Sequence, residues 1–412
     1  IGGLAAAGID AIDASDNTLS LSVAQANALG SVTVAEDDTF TLADTGANIA
    51  ALTVTQIGDL AAAGINTIDA TDNTLALSMA QYQALGSIAL TPGDTVTLSD
   101  TGANLASQSA ASINDLVNVD AFDATDNALS LRIAQLEAIH SDSIALAADD
   151  VVTLSDTEAR IEGLAASDTL SDLSSLGIDF LHASNTSVIH ANASLVLQVE
   201  ALPLAFAAGD TVTLTDTGAH ISDLTRADLS GLAAINVDHI DATDDAFTFS
   251  LAQYNALGSI SLSANDSVTV LGTGHDNTIV GEAGTQILDG RGGDDALSGA
   301  GGADFLSGGN GADSFVFDSI HDTSNAQHDT ILDFSHAQHD LIDLSNIDAR
   351  TGGRDNAFHI VSGFTHAAGQ LVIVSHGANE YLVRGDVNGD GRADFTIDVH
   401  SHTALVAGDF IM

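Results

Sequence analysis

The sequence predicts a mainly β protein with short helices: a parallel α/β solenoid of about 56-residue repeats that runs into a parallel β-roll and a C-terminal β cap. Three observations predict it. Two phrases alternate through the first two thirds of the chain, a nine-residue pattern runs unbroken through 290–316, and the composition changes again beyond 312. The corresponding segments are 1–271, 272–325 and 326–412.

The first phrase is FTLADTGANI at 40–49, and it returns as VTLSDTGANL (96–105), VTLSDTEARI (152–161) and VTLTDTGAHI (212–221). Asp44, Asp100, Asp156 and Asp216 mark its period, and a shortened fifth copy, SVTVLGTG, begins at Ser267. The second phrase, IDASDNTLSLSVAQANAL at 12–29, returns at 68–85, 122–139 and 240–257. Segments such as TVTL alternate apolar with small polar residues, the period-two mark of half-buried strands. DTGA and ATDN read as turns. TVTQIGDLAAAG (53–64) and SMAQYQALG (78–86) have helical spacing, a Thr or Ser N-cap and a closing Gly. Each repeat therefore reads as strand, turn, strand and short helix, twice over, stacked into a solenoid. Its acidic turns, such as Asp69, Asp72, Asp94 and Asp100, read as caps and solubilising groups, because neither phrase supplies a full ligand set for a metal.

The nine-residue pattern is G-x-x-G-x-D-x-U-x. Its copies GRGGDDALS, GAGGADFLS and GGNGADSFV place Asp295, Asp304 and Asp313 sixth and Leu297, Leu306 and Phe315 eighth. A flexible Gly/Asp linker would not carry an apolar residue every ninth position; a calcium-binding parallel β-roll does. Glycine permits positive φ, so carbonyls can point at a cation while the Asp adds a hard anionic oxygen. Two weaker copies precede these, with Asn277 and Gln286 sixth, and a fading one follows at Asp322. Two nonapeptides make one turn of a roll, so calcium is expected between Asn277 and Asp295, Gln286 and Asp304, Asp295 and Asp313, and Asp304 and Asp322. Backbone carbonyls at the second and fourth loop positions would complete the ligand sets, in metal-site turns made of Gly290, Arg291, Gly292 and Gly293, of Gly299, Ala300, Gly301 and Gly302, and of Gly308, Gly309 and Gly311. The site with Gln286 is expected to be weakest, having lost a charge. Stacked Asp rows repel without metal, so folding and binding are expected to be one event.

The chain has 412 residues, 57 acidic against eight basic, a net charge of −49 and no cysteine. That charge excludes nucleic acid as a natural partner, disfavours anionic membranes and favours divalent cations. Yet 45% of residues are hydrophobic, too many for a disordered acidic tail. No apolar run approaches a membrane span, and the first residues lack a Sec-type signal. A start inside a repeat, without Met, predicts a piece of a longer chain.

After the nonapeptides come SFVF, DTILDF, DLIDLSNIDA, GDVNGDGRADFTI and DFIM. In order and spacing, residues 272–412 resemble the C-terminal calcium-binding domain of the serralysin metalloproteases, within the RTX group; the repeats have a general likeness to repetitive secreted bacterial surface proteins. The resemblance implies a roll capped by a β-sandwich-like segment, type I export with an uncleaved signal at Asp409–Met412, and further calcium ligands at Asp322 and Asp329. Asp386, Asn388 and Asp390, followed by Gly391, have the spacing of an EF-hand loop, but its twelfth position is Ile397. A calcium loop closed by Asp394 or Asp398 and a structural turn both remain open. Ten of the 15 histidines lie at or beyond His275, without a zinc-site spacing, and read as surface groups.

No H-E-x-x-H, G-x-S-x-G or phosphate loop is present, so no enzymatic activity is expected of these residues. The expected function is a secreted, extracellular calcium-binding structural or adhesive repeat protein of a surface layer, biofilm matrix or filament. Its expected partners are calcium, the type I secretion machinery, further copies of itself or cell-surface polysaccharide. The alternative is the non-catalytic C-terminal region of a secreted hydrolase. A sugar-binding module is disfavoured by three tyrosines and no tryptophan.

Overall fold

The computed structural model describes residues 1–166, 169–350 and 356–412. The chain divides into two compact units, Ile1–Ile189 with Ala201–Asp210 and His190–Glu200 with Thr211–Met412.

In the first unit the repeats build four-stranded, all-parallel sheets, preceded by a two-stranded parallel pair of Ala11–Ile12 with Thr33–Val34. Thr18–Leu21, Thr39–Asp44, Thr67–Ala70 and Ala89–Leu90 form one such sheet in that order, with Leu19 opposite Phe40 and Leu42 opposite Ile68. Thr74–Leu77, Thr95–Asp100, Ala121–Ala124 and Ala145–Leu146 form the next. The alternate residues face inward, so Phe40, Leu42, Ile68, Val96, Leu98 and Phe122 are wholly buried.

The helices differ from the sequence reading. Two, Gly46–Ala50 and Val54–Ala62, follow the strand Thr39–Asp44 directly, and DTGA is a helix start rather than a turn. Thr45 caps it by accepting the Asn48 N–H, while Asp72 from the ATDN turn accepts the Gly46 N–H at 2.8 Å. Glycine is required there for space: a Cβ on Gly46 would lie 1.7 Å from the Thr74 carbonyl oxygen. ATDN is a turn as expected, with Asn73 at φ 57° and Asn127 at φ 52°.

In the second unit the last 56-residue copy becomes the first rung of the roll. Ala246–Ser250 pairs with Ser267–Leu271, which pairs with the nonapeptide strand Gln286–Asp289. Phe305–Ser307 and Thr330–Phe334 continue this sheet, and Phe395–Ser401, Glu380–Asp386, Gln370–Gly377 and His359–Val361 complete its nine strands. The second sheet holds Thr278–Val280, Ala296–Ser298, Ser314–Val316, Leu341–Asp343 and Phe410–Ile411. Successive nonapeptides alternate between the sheets, which puts equivalent turns 18 residues apart, with Ile279 opposite Leu297 and Ile287 opposite Phe305. Leu288, Leu297, Leu306 and Phe315 are wholly buried between them, and the Phe315 and Phe334 rings bridge the two sheets at 6.3 Å. The cap extends the roll's first sheet through Phe395–Ser401, parallel to Thr330–Phe334, and then through the antiparallel strands Glu380–Asp386 and Gln370–Gly377, instead of opening a separate sandwich. Among the described residues no helix is long and apolar enough to cross a membrane.

Candidate metal centre

Each turn of the three full nonapeptides is shaped by two kinds of constraint. The second and fourth residues take positive φ: Arg291 69°, Ala300 59° and Gly309 92° at the second, Gly293 106°, Gly302 151° and Gly311 141° at the fourth. The fourth must be glycine, because a Cβ on Gly302 would lie 1.9 Å from the Gly284 carbonyl oxygen of the turn before. The first residue is glycine for a different reason. A Cβ on Gly290, Gly299 or Gly308 would lie 2.3, 2.4 or 2.3 Å from Oδ2 of Asp295, Asp304 or Asp313 in the same copy. Gly292 and Gly301, the third residues, carry neither constraint.

The sixth residues form two stacks, one at each edge of the roll. In one, Asp295 Oδ1 accepts the Asn277 N–H (2.7 Å) and Asp313 Oδ1 accepts the Asp295 N–H (2.9 Å). In the other, Asp304 Oδ1 accepts the Gln286 N–H at 2.7 Å. These are three of the four pairings expected from the spacing. The fourth is corrected: Asp304 donates its N–H to Asp329, 25 residues on, and not to Asp322. The chain after Val316 makes a longer turn before the strand Thr330–Phe334 rejoins the sheet, so the 18-residue period fails there. Asp322 instead folds that longer turn, accepting the N–H groups of Asp318 and Ser319.

Asp340 was not expected. It stands 27 residues after Asp313, whose N–H it accepts at 3.1 Å, and its second oxygen accepts the Ser335 N–H. Asp333 likewise accepts the N–H groups of Gly308 and Gly309. A signal for Asp340 was present: DLID, like DTIL at Asp329, repeats the Asp-x-apolar ending of the nonapeptide without its glycines.

The stacked carboxylates are almost fully enclosed, Asp295, Asp304, Asp313 and Asp329 being at most 2% exposed. In each, Oδ2 is buried without a hydrogen-bond partner. Burial pushes these carboxyls up, to about 6 for Asp295, 7 for Asp304 and 8 for Asp329, and the field of neighbouring aspartates adds to the rise at Asp295 and Asp329. Asp340 is raised to about 6, chiefly by burial, and Asp313 is raised for the same reason. A row of buried anionic oxygens lacking donors is costly as it stands, and it fits a hard divalent cation held together with backbone carbonyls of the turns.

The loop with EF-hand spacing is built otherwise. Asp386 is wholly buried, but its oxygens accept the N–H groups of Gly389 (2.6 Å) and Gly391 (2.9 Å). Asp394 accepts from the Val387 and Asn388 backbone and the Asn388 side chain, and Asp390 from the Arg392 N–H. Asp386, Asn388 and Asp390 thus close a turn through their own backbone.

Asp409 is buried at the start of the last strand of the second sheet, where Phe410 lies opposite Ile342, and its carboxylate bonds the His336 ring. DFIM is therefore a rung of the folded roll.

Residues 241–412 match the family model described as Peptidase M10 serralysin C terminal, a match that begins inside the copy of the second phrase at 240–257. No curated protein matches the chain. Among solved structures, the solution structure of the AlgE6R3 subunit from the Azotobacter vinelandii mannuronan C5-epimerase is 27% identical over 35% of this chain and 78% of that one, with a TM-score of 0.26.

Proposed function

We propose that the chain is a secreted, calcium-binding repeat protein with a structural or adhesive role outside the cell, and that its roll folds on calcium after type I export. The observation that carries the calcium reading is the row of buried, unpartnered Oδ2 atoms on Asp295, Asp304, Asp313 and Asp329. Bound calcium would supply the positive charge that these oxygens lack. The chain's own part is to hold them in place: Oδ1 of each is tied to the N–H of the preceding turn, which leaves Oδ2 free of any donor. The match of 241–412 to a secreted-protease C-terminal family supports export, and the repeats of 1–271, devoid of a catalytic motif, support a structural role. In this reading the metal-dependent roll of 272–325 gains Asp329 and Asp340 from the segment that follows, and the rest of 326–412 is the export-competent cap.

Electron microscopy of the full chain in chelator and in millimolar calcium tests the structural role. Ordered sheets or fibres forming only with calcium are expected, and separate particles in both conditions contradict it. The same family match favours one second reading, the non-catalytic C-terminal region of a secreted hydrolase. The upstream reading frame decides: further 56-residue repeats support the first, a hydrolase motif the second.

A further inference from the structure

The geometry points to a second class of calcium site, in the 56-residue repeats, at two carboxylate trios: Asp13 with Asp37 and Asp38, and Asp123 with Asp149 and Asp150. In each trio, oxygens from all three residues lie within 4.8 Å of one another. Both belong to the first unit and stand far along the chain from the nonapeptides.

Acidic clusters are common on so acidic a chain, and the deciding observation is the buried member. Asp38 and Asp150 are 4% and 7% exposed. Oδ2 of each accepts one N–H, from Ala14 at 2.8 Å and from Ala124 at 2.9 Å, while Oδ1 is buried with no partner. This is the arrangement of the roll's stacked aspartates, one oxygen tied and one left over, and the leftover oxygen belongs to a carboxylate flanked by two more. No basic side chain bonds to either trio among the described residues. Burial, with the fields of Asp123, Asp149 and Asp126, raises the Asp150 carboxyl, a repulsion that a cation would cancel.

The other copies lack the third carboxylate. The buried Asp recurs as Asp94, Asp210 and Asp266, and Asp266 also keeps an unpartnered Oδ1, but the residue before it is Gly93, Gly209 and Asn265, so none of them joins an orphan oxygen to a carboxylate trio. In the fourth copy the first member is His182, whose Nδ1 lies 2.9 Å from Asp210 Oδ1. That copy fills the orphan position with a side chain of its own. Three carboxylates with at least one buried and unpartnered oxygen suit calcium, which accepts irregular oxygen cages, at the weak affinity of extracellular modules.

Equilibrium dialysis of the full chain at about 1 mM free calcium, counting ions per chain, tests this. Asp37 and Asp149 are exposed and accept no buried N–H, so the double variant Asp37→Asn/Asp149→Asn should keep its circular dichroism and bind two fewer ions. Conversely, Gly93→Asp completes a trio with Asp69 and Asp94 where a Cβ meets nothing within 4 Å, and should gain one ion. An unchanged ion count in both variants overturns the inference. Asp304→Asn, run in parallel, reports on the roll alone, so a failure there is read separately.

Discussion

The DTGA phrase and the nonapeptide use the same side chain in opposite ways. In the 56-residue copies, the Asp of the DTGA phrase is supplied with donors. Asp100 accepts from the Met79 and Thr101 N–H groups and from the Asn104 side chain, which more than offset its burial and hold its carboxyl below the ordinary range. Asp44 is lowered in the same way, chiefly by Asn48. In the nonapeptides, Asp304 has one donor for two buried oxygens, and burial carries it to about 7. The first arrangement is complete within the polypeptide; the second needs a proton or a metal.

The largest expected effect comes from the shared apolar axis of the roll. Phe315→Ala removes a wholly buried ring that bridges the two sheets and should cost roughly 3–5 kcal/mol in calcium-saturated protein, measured by denaturant unfolding. Asp100→Ala removes donors' partners in the repeats and should cost roughly 1–3 kcal/mol, by the same amount in calcium and in chelator. Asp304→Asn sharpens the contrast because its sign should invert: weaker calcium binding, yet a metal-free roll more stable than wild type, since a buried charge is gone.

The pH response should also separate the regions. The roll carboxyls rise from an ordinary 3.8 to about 6 at Asp295 and about 8 at Asp329, so the metal-free roll is favoured at acid pH and loses stability as pH climbs through that window. In chelator, strand signal from the roll should therefore grow between pH 8 and 5. The lowered Asp44 and Asp100 run the other way, contributing above their ordinary value and losing that contribution as pH falls below it. The smallest effect is Thr53→Ala, which deletes the N-cap that accepts the Gln56 N–H, at a cost of about 1 kcal/mol.

Much of this was legible in the sequence because repeats report stacking directly. The spacing of Asp295 and Asp313 gave the register of one stack, and the alternation in TVTL gave the buried face. Legibility stopped where the period did. Asp329 and Asp340 enter the same stacks through turns of other lengths, so counting forward by nine reached Asp322 instead. DTGA looked like a turn because Asp, Thr and Gly all favour turns. Its glycine is there for the close approach to Thr74, a tertiary contact without a local signature. The first glycine of each full nonapeptide likewise makes room for a carboxylate five residues later.

If calcium supplies the charge that the stacked aspartates lack, the roll strands need metal to fold, and the strands of the 56-residue repeats fold without it whether or not their trios bind an ion. Hydrogen exchange on the full chain at neutral pH, with chelator and with calcium, tests it most directly. The amides of Ala296–Ser298, Phe305–Ser307 and Ser314–Val316 should be protected only with calcium, and those of Thr39–Asp44 and Thr95–Asp100 in both conditions. Equal protection of the roll strands in chelator, or loss of the repeat strands alongside them, would contradict it.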